Sequence, residues 1–495
     1  MYTLSNQSLA NLPNNIQKPN YDRKKLTENI IHIGVGGFHR SHQALYIHDL
    51  MQMGETNWAI FGVGIMPQDE LMFKALNQQD ILYTLVEQSS HKGTAAVNNA
   101  KIIGSITSYV WGYKHPELVF EKMHDTEIKL VTLTATEAGY YLDETTGTIN
   151  LLDKNIQHDL KNPNNPHTIF GYLAKGLEIR FNNNIQPFTV LSCDNIQHNG
   201  QVLRAALIDY CKEYNVELAL WIAQNVAFPC CMVDRITPAT TNQEREMVQK
   251  DFNILDAYPV AAETFRQWII EDNFCNDRPP LEKVGVNFTD NVSPYEAMKI
   301  GLLNGSHSCM GYLGHLVGYE YIYQVAQANE FIPYIRLFMD KEVTPLLQPV
   351  PNINFEDYKQ SLMQRFSNDK IKDQVLRICM DGSGKIPKYI LPTIRSQLEK
   401  QGSIRYSSLV IASWIRFLQG IDEKGNPIPI QDPQGERLHT AAKACGKNPQ
   451  EFLALSDIFG DLGKNPIFIK EIEFLLGMLY DKGAKATIEF CTQSS

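Results

Sequence analysis

The sequence predicts an α/β domain built on a doubly wound parallel sheet, followed by a largely α-helical domain. In the N-terminal half, short apolar runs rich in β-branched residues alternate with helical patterns. After a polar stretch that contains Pro279 and Pro280, helical periodicity dominates and clear β patterns are scarce. We therefore predict a sheet domain over residues 1–285 and a mainly helical domain over residues 286–495.

The strands of the predicted sheet are nearly continuous in apolar character, which is typical of parallel strands covered by helices on both faces. Residues 38–54 and 201–214 have helical periodicity and suit crossover helices between such strands. The predicted strands cover residues 29–34, 58–65, 128–135 and 187–193.

The second half of the chain carries one helical pattern after another, with apolar residues three and four positions apart. Such a pattern predicts helices that bury one face each. The predicted helices cover residues 294–326, 328–345, 355–380, 389–400, 406–419, 449–460 and 466–481.

The bulk properties of the chain exclude several classes of protein. A net charge of −10 argues against nucleic acid as the main partner. No apolar run is long enough for a membrane span, and the N-terminal residues lack the apolar core of a secretion signal. The nine cysteines are scattered without C-x-x-C spacing, so we expect free thiols in a reducing cytoplasm.

A glycine-rich turn follows the first predicted strand and opens a helix. Gly34 suits the tight turn, and Gly36 would let the backbone approach a pyrophosphate at the helix N-terminus. The motif departs from G-x-G-x-x-G because His39 takes the third glycine position, so an ordinary strand–helix turn is the alternative. The context predicts a Rossmann-type domain with a dinucleotide-binding segment made of Ile33, Gly34, Val35, Gly36, Gly37, Phe38, His39 and Arg40.

An acidic residue after the second predicted strand bears on the choice of cofactor. Asp69 could bind the ribose hydroxyls of the adenosine and repel a 2′-phosphate, which favours NAD over NADP. Its neighbours Gln68 and Glu70 show the alternative, which is a solvated loop rich in polar residues.

Residues 293–307, SPYEAMKIGLLNGSH, are the most informative stretch of the chain. Ser293 suits the N-cap of a helix, Pro294 its first position, and Glu296 completes a Ser-x-x-Glu capping box. The stretch therefore predicts a single helix that begins at its own first residues.

Four polar side chains would share one face of this helix. At about 100° per residue, Lys299 lies at roughly 0°, Glu296 at roughly 60°, His307 at roughly 80° and Asn304 at roughly 140°. Apolar residues occupy the same arc, so this face should be buried, and buried polar groups need partners or a function. Gly301, Gly305 and Ser308 lie on the opposite face, where another element could approach closely.

Two other motifs suggest sites that we reject. Residues 381–388, DGSGKIPK, lack the first glycine and the Ser/Thr after lysine of a phosphate-binding loop. His39 and His42 could suggest a metal pair, but no ligand set with zinc spacing accompanies them. We therefore expect no metal and interpret both histidines as helix-turn packing.

Taken together, four segments resemble the polyol-specific long-chain dehydrogenases, the mannitol dehydrogenase family. These segments cover residues 30–46, 192–200, 225–238 and 293–307 and include the sequence Val-Asp-Arg-Ile at 233–236. The resemblance implies an NAD-dependent, metal-independent enzyme that transfers hydride between a polyol and a ketose, such as D-mannitol and D-fructose. It also implies a monomer. Fructuronate or tagaturonate reductases, a D-arabinitol dehydrogenase and a non-catalytic NAD sensor are the alternatives.

The resemblance assigns roles to individual residues. It implies that Lys299 is the general base, that Asn195 and Asn304 form an oxyanion-type pocket, and that His307 orients the polyol. Asp234 and Arg377 would contact substrate hydroxyls, and Glu296 would border a water path for the proton.

Each of these residues also has a structural interpretation. The lysine could be a surface residue and the asparagines could be caps, while His307 could lie in the core. Asp234 could pair with Arg235, Arg377 with a surface acid, and Glu296 could serve only the capping box. Chemistry favours the functional interpretation, because oxidation of an alcohol needs a base with a suitable pKa and donors for the developing alkoxide.

Overall fold

The computed structural model describes residues 1–90, 97–143 and 146–493. These residues form two compact units, the first made of residues 1–89 and 97–293, the second of residues 294–493 with Ser90. Our predicted division at residue 285 falls before a strand, Asn287–Thr289, that pairs with Gln267–Glu271 of the first unit. The first unit therefore extends to Ser293, where the next helix begins.

Among the described residues, the strands all lie in the first unit. They are β1 Tyr2–Thr3, β2 Glu28–Ile33, β3 Ala59–Gly64, β4 Tyr83–Ser89, β5 Val97–Ile103, β6 Ile106–Trp111, β7 Leu130–Leu133, β8 Thr189–Ser192, β9 Cys231–Asp234, β10 Ile254–Leu255, β11 Val260–Glu263, β12 Gln267–Glu271 and β13 Asn287–Thr289.

The central sheet has five strands in the order β6-β3-β2-β7-β8, and every pair is parallel. Alternate residues of β2 point to opposite faces: Ile31 packs against one apolar core and Ile30 against another. Helices cover both faces, and all residues of β3, β7 and β8 are buried. The predicted doubly wound parallel sheet is thus confirmed, with each predicted strand at its expected place.

Several strands have no continuous apolar run, and the sequence analysis missed them. The edge strand β6 is partly exposed and mixes polar with apolar residues. Two further three-stranded sheets, β11-β4-β5 and β13-β12-β9, contain antiparallel pairs.

The first unit also contains nine described α-helices. They are α1 Gly37–Ser41, α2 Gln43–Gln52, α3 Asp69–Asn77, α4 Pro116–His124, α5 Lys154–Lys161, α6 Ile169–Asn182, α7 Asn199–Lys212, α8 Val216–Asn225 and α9 Asn242–Phe252. The crossover helix predicted over 38–54 is interrupted at His42, whose φ of −113° and ψ of −86° are not helical.

In the part that the structure describes, the second unit is helical apart from isolated β-bridges. Its α-helices are α10 Ser293–Met298, α11 Gly305–Val317, α12 Ile322–Gln327, α13 Phe331–Leu337, α14 Phe355–Phe366, α15 Val375–Cys379, α16 Gly382–Tyr389, α17 Leu391–Glu399, α18 Arg405–Phe417, α19 Gly435–Cys445, α20 Gln450–Leu453, α21 Ser456–Phe459 and α22 Pro466–Gln493. The largely helical C-terminal half is as predicted.

Two of the described segments of this unit are π-helical, Lys299–Asn304 between α10 and α11, and Phe338–Val343 after α13. Among the described residues, no helix combines the length and the apolar character needed to cross a membrane.

Candidate active site

The stretch that carries the candidate lysine is not the single α-helix that the sequence predicts. It runs from α10 through a π-helical turn, Lys299–Asn304, into α11. A π-helix is wider than an α-helix, so the angles calculated at 100° per residue do not hold beyond Lys299. The prediction of Ser293 as N-cap is also revised, because the helix includes Ser293 and Asn291 Oδ1 accepts its backbone N–H at 2.9 Å.

The polar residues of this stretch lie at or near the interior of the second unit. Lys299 is 7% exposed and Glu296 4% exposed, so neither is a surface residue. His307 is half-buried, with its ring centroid 4.9 Å from that of Phe366. Asn304 Oδ1 is buried and accepts no hydrogen bond from any described residue. An acceptor left in that state is costly unless a ligand or water donates to it.

The glycines of the stretch face a second element, as the sequence predicts. A Cβ on Gly301 would lie 2.6 Å from Val343 Cγ1, and one on Gly305 would lie 2.9 Å from Phe338 Cζ. The third residue of that face, Ser308, donates from its hydroxyl to the Asn304 carbonyl at 3.3 Å.

Arg377 lies on α15, which packs against α11: a Cβ on Gly311 would lie 3.1 Å from Ile378 Cγ2. The Arg377 guanidinium binds Asp373 in a bidentate manner, with Nε–Oδ1 and Nη2–Oδ2 distances of 2.6 Å. Asp373 therefore largely neutralises this arginine. A second cation nearby, Lys385, donates to the Ile378 carbonyl at 3.3 Å, and the sequence analysis passed over it when it rejected the phosphate loop.

In the first unit, the glycine-rich turn lies at the carboxyl end of β2. Gly34 has a φ of +97°, and a Cβ there would lie 2.2 Å from the Thr134 carbonyl oxygen, so only glycine fits. Gly36 is different: its Cβ would meet no atom closer than 4.0 Å. The turn is thus closed towards the protein at Gly34 and open at Gly36, where the backbone offers room for a pyrophosphate.

The side chains around this turn point into the protein rather than away from it. Ile33 and Val35 are 1% exposed, and Phe38 packs against the same core as Val35. Arg40 is buried and donates to the Tyr258 carbonyl, while its own carbonyl accepts from the Tyr83 hydroxyl at 2.6 Å. Any contact of these residues with a cofactor would therefore come mainly from their backbone.

Three buried imidazoles, those of His32, His39 and His42, lie close to the glycine-rich turn. His39 stacks on His32 with centroids 3.4 Å apart, and His32 Nε2 is 3.0 Å from the Gly34 carbonyl oxygen. Burial lowers the pKa of His32 and of His42 to about 3, so both rings are neutral. His42 Nε2 is hydrogen-bonded to the Gln267 carbonyl at 2.9 Å. Both His39 and His42 thus pack in the interior, which is the interpretation that the sequence favoured over a metal pair.

Asp69 lies just beyond the carboxyl end of β3, the strand beside β2 in the parallel sheet. Its Oδ2 accepts the Met66 backbone N–H at 2.9 Å, and burial raises the pKa of its carboxyl. Because the ends of neighbouring parallel strands meet at one edge, Asp69 and the glycine-rich turn share the edge at which dinucleotides bind.

Asn195 lies in the loop after β8 and is exposed. The residue before it, Asp194, accepts from Ala135 N at 3.0 Å, Thr136 N at 2.9 Å and the Tyr140 hydroxyl at 2.9 Å. On the other side, Asn199 Nδ2 donates to the Asp194 carbonyl at 3.1 Å. The loop that carries Asn195 is thus held by buried hydrogen bonds on both sides.

Asp234 is buried at the end of β9. The neighbouring Arg235 donates from Nη2 to Glu87 at 2.6 Å and to the Glu263 carbonyl at 2.5 Å. Its Nη1 donates to the Ser41 carbonyl at 2.5 Å. Arg235 therefore links β9 to β4, β11 and α1, and its ion pair is with Glu87, a partner that the sequence analysis did not identify.

One group of possible metal ligands occurs among the described residues: His158, Asp159 and His167. Both oxygens of Asp159 already accept hydrogen bonds, from His167 N at 2.7 Å and from Thr168 N at 2.8 Å among others. The two imidazoles are stacked 3.8 Å apart and nearly parallel, so their nitrogen lone pairs do not converge on one point. We assign no metal to this group.

Comparison with known proteins gives matches over nearly the whole chain. Residues 28–283 match the mannitol dehydrogenase Rossmann domain, and residues 291–479 match the mannitol dehydrogenase C-terminal domain. Mannitol dehydrogenase 2 of Saccharomyces cerevisiae is 43% identical over 491 residues, which covers 98% of this chain and 97% of the relative. Mannitol 2-dehydrogenase of Aspergillus fumigatus is 42% identical over 481 residues and 96% of this chain, 95% of its own length.

Two solved structures are similar in both sequence and fold. Pseudomonas fluorescens mannitol 2-dehydrogenase, in a ternary complex with NAD and D-mannitol, is 41% identical with a TM-score of 0.92, and the match covers 100% of both chains. A D-sorbitol dehydrogenase in substrate-free form is 34% identical with a TM-score of 0.88 and covers 98% of this chain and 100% of its own.

Proposed function

This chain belongs to the mannitol dehydrogenase family, and we propose that it is an NAD-dependent, metal-independent oxidoreductase that interconverts D-mannitol and D-fructose. The observation that carries the proposal is the burial of Lys299 at the start of a π-helical turn. A buried amine on this rare kind of turn is typical of a functional site.

The chemistry assigns separate tasks to Lys299 and to the two asparagines. Lys299 Nζ takes the proton of the reacting hydroxyl, so the step needs no metal. Bound NAD would supply the acceptor for the carbon-bound hydride. The amides of Asn304 and Asn195 donate to the oxygen as it becomes an alkoxide, a task that amides perform without titrating. Asn304 Oδ1, which accepts no hydrogen bond from any described residue, suits a polyol hydroxyl.

The remaining residues bind the polyol and remove the proton. His307, Asp234 and Arg377 contact further hydroxyls, and the buried Glu296 borders the water path along which the proton leaves Lys299. NAD itself is held at the glycine-rich turn, where the open space at Gly36 fits its pyrophosphate and Asp69 binds the adenosine ribose.

The state of Arg377 favours a neutral substrate over a sugar acid. A hexuronate needs a cation for its carboxylate, but the guanidinium is already paired with Asp373 through two hydrogen bonds. We therefore infer that a polyol suits this site better than the hexuronate substrates of fructuronate and tagaturonate reductases.

The test is a substrate panel with the purified protein, followed by NADH absorbance. D-Mannitol, D-sorbitol, D-arabinitol and mannonate are each assayed with NAD and with NADP, and D-fructose with the reduced cofactors. We expect D-mannitol and D-fructose with NAD to give the highest kcat/KM. The Lys299→Ala variant should lose about 10²–10⁴-fold in turnover. Turnover close to wild type in that variant would reject the assignment of the base.

We further propose that the enzyme works as a monomer in a reducing compartment such as the cytoplasm. All nine cysteines are free and eight of them are buried, which supports the choice of compartment. Light scattering of the purified protein, which measures its mass in solution, tests the monomer.

A further inference from the structure

The π-helical turn of the candidate active site packs against the second π-helical turn of the same unit. The first is Lys299–Asn304 and the second is Phe338–Val343. Each is a single wide turn within a helical stretch, a conformation that is rare and occurs frequently at functional sites. Such a turn persists only when surrounding structure holds it.

Two glycines let the turns meet closely. Val343 Cγ1 occupies the place beside Gly301, 2.6 Å from where a Cβ would lie, and the Phe338 ring occupies the place beside Gly305 at 2.9 Å. Val343 is 2% exposed and its branched side chain is stiff at χ1, so it cannot easily move aside. Each glycine thus acts as a notch filled by one side chain of the other turn.

Hydrogen bonds to Glu342 hold the second turn, Phe338–Val343, in place. Glu342, which is fully buried, accepts hydrogen bonds from Ser403 Oγ at 2.9 Å, Tyr406 N at 2.9 Å and Ser407 N at 2.8 Å. The Glu342 carbonyl accepts from Gln397 Nε2 at 2.6 Å. These contacts tie Val343 and its turn to α17 and the start of α18.

We propose that Val343 and Phe338 are positioning residues for the reaction: by filling the notches at Gly301 and Gly305 they hold the first turn π-helical and so aim Lys299 and Asn304 at the substrate. This inference rests on the proposed function. Lys299 and Asn304 are the first and last residues of the turn, so any change in its winding rotates one relative to the other.

A pair of matched variants tests the notch. Gly301→Ala introduces a methyl group against Val343, and Val343→Ala removes the obstructing Cγ1. We expect Gly301→Ala to lower kcat with D-mannitol by about 10- to 100-fold, because misplacement of a catalytic group by about 1 Å has effects of that size. The double variant should recover kcat to within about threefold of Val343→Ala alone, since the two sites are coupled.

A second pair and a control guard against simple misfolding. Gly305→Ala with Phe338→Leu repeats the design at the other notch. Gly477→Ala on α22, where a Cβ would meet no atom within 4 Å, is the matched helix substitution and should leave kcat unchanged. The melting temperature of every variant is measured to confirm folding.

Two readouts separate positioning from loss of fold. The pH profile of kcat reports the ionisation of the base in the enzyme–substrate complex, and its midpoint should shift in Gly301→Ala and return in the double variant. Amine labelling of Lys299, quantified by mass spectrometry, should be faster in Gly301→Ala than in the wild type and should slow again in the double variant. This readout does not depend on turnover.

The outcomes are distinguishable. A wild-type protein without activity on D-mannitol overturns the proposed function, whereas the labelling of Lys299 still tests the notch. The positioning role is wrong if Gly301→Ala retains the wild-type kcat and labelling rate. It is also wrong if the folded double variant, with Val343→Ala added, does not recover kcat.

Discussion

Replacing Glu342 by glutamine is expected to change how the stability of the second unit depends on pH. Glu342 is fully buried and its oxygens accept hydrogen bonds from donors that include Ser403 Oγ, Tyr406 N and Ser407 N. Glutamine has the same shape but does not titrate, so the comparison isolates the ionisation of this one carboxyl.

The pKa of Glu342 sets how much the free energy of unfolding changes with pH. Burial raises the pKa of Glu342 from its ordinary 4.5 to about 7. Each pKa unit corresponds to about 1.4 kcal/mol, so this difference corresponds to about 3 kcal/mol. Because the folded-state pKa is the higher, the folded protein keeps a proton that the unfolded chain releases. The stabilisation is complete below pH 4.5 and is lost as pH rises through about 7.

The stability of Glu342→Gln does not depend on the ionisation of this side chain, but the variant has one hydrogen-bond acceptor fewer than the wild type. At acid pH the wild-type carboxyl is protonated and its hydroxyl oxygen can still accept a hydrogen bond, whereas the amide NH2 of glutamine cannot. One of the surrounding donors therefore loses its acceptor in the variant, which costs about 1–3 kcal/mol. At acid pH we therefore expect Glu342→Gln to be less stable than the wild type. By about pH 8 the difference should close or reverse, because the wild type has lost about 3 kcal/mol of its advantage.

The assay is thermal unfolding of both proteins between about pH 5 and pH 8. For a unit of this size, 1 kcal/mol corresponds to about 2–4 °C, so the difference in melting temperature should change by about 6–12 °C. Glu473→Gln, at an exposed position on α22, is the control. A difference between wild type and Glu342→Gln that stays constant with pH would refute the reasoning.

Further predictions concern both units. Gly34→Ala should lower the melting temperature and abolish NAD binding by calorimetry, because its Cβ would collide with the Thr134 carbonyl. Gly36→Ala should keep the melting temperature yet weaken NAD binding by at least about tenfold, since its Cβ would fill only the open space; equal affinity would place the pyrophosphate elsewhere. Asn304→Ala should lower kcat by about 10²–10³-fold without loss of stability, as its Oδ1 has no donor among the described residues; a falling melting temperature would indicate a structural role. Asp373→Asn should raise the ratio of mannonate to mannitol turnover by freeing Arg377, and an unchanged ratio would show that this arginine does not contact substrate.

The parallel sheet could be predicted because its signal is local. Strands such as Ala59–Gly64 are buried on both faces, so nearly every residue is apolar and the run stands out. The strand Val97–Ile103 carries exposed polar residues between buried apolar ones, and its place is decided by pairing with Tyr83–Ser89. Nothing in seven residues of mixed character identifies the strand with which they pair.

Some features of the candidate site could likewise be predicted from the local sequence, and others could not. Gly34 could be predicted because a tight turn after a strand requires a positive φ, which is a property of the residue itself. That Thr134 closes the turn and that Arg235 pairs with Glu87 both depend on contacts between different elements, whereas Asp373 lies four residues before Arg377 and their pairing is a local contact. Sequence reasoning could not assign the partners that come from other elements.

The π-helical turn shows the limit most clearly. The residues 299–304, KIGLLN, have ordinary helical propensity apart from Gly301, and local rules therefore predict an α-helix. The wider turn coincides with the contact between Gly301 and Val343, and these residues lie far apart in the chain. The glycines were visible in the sequence as a face open to close approach, but the element that approaches was not. The same non-local contact that escapes prediction is the one that, in our proposal, directs Lys299 and Asn304, so the geometry of this site is specified by packing across helices rather than by its own segment.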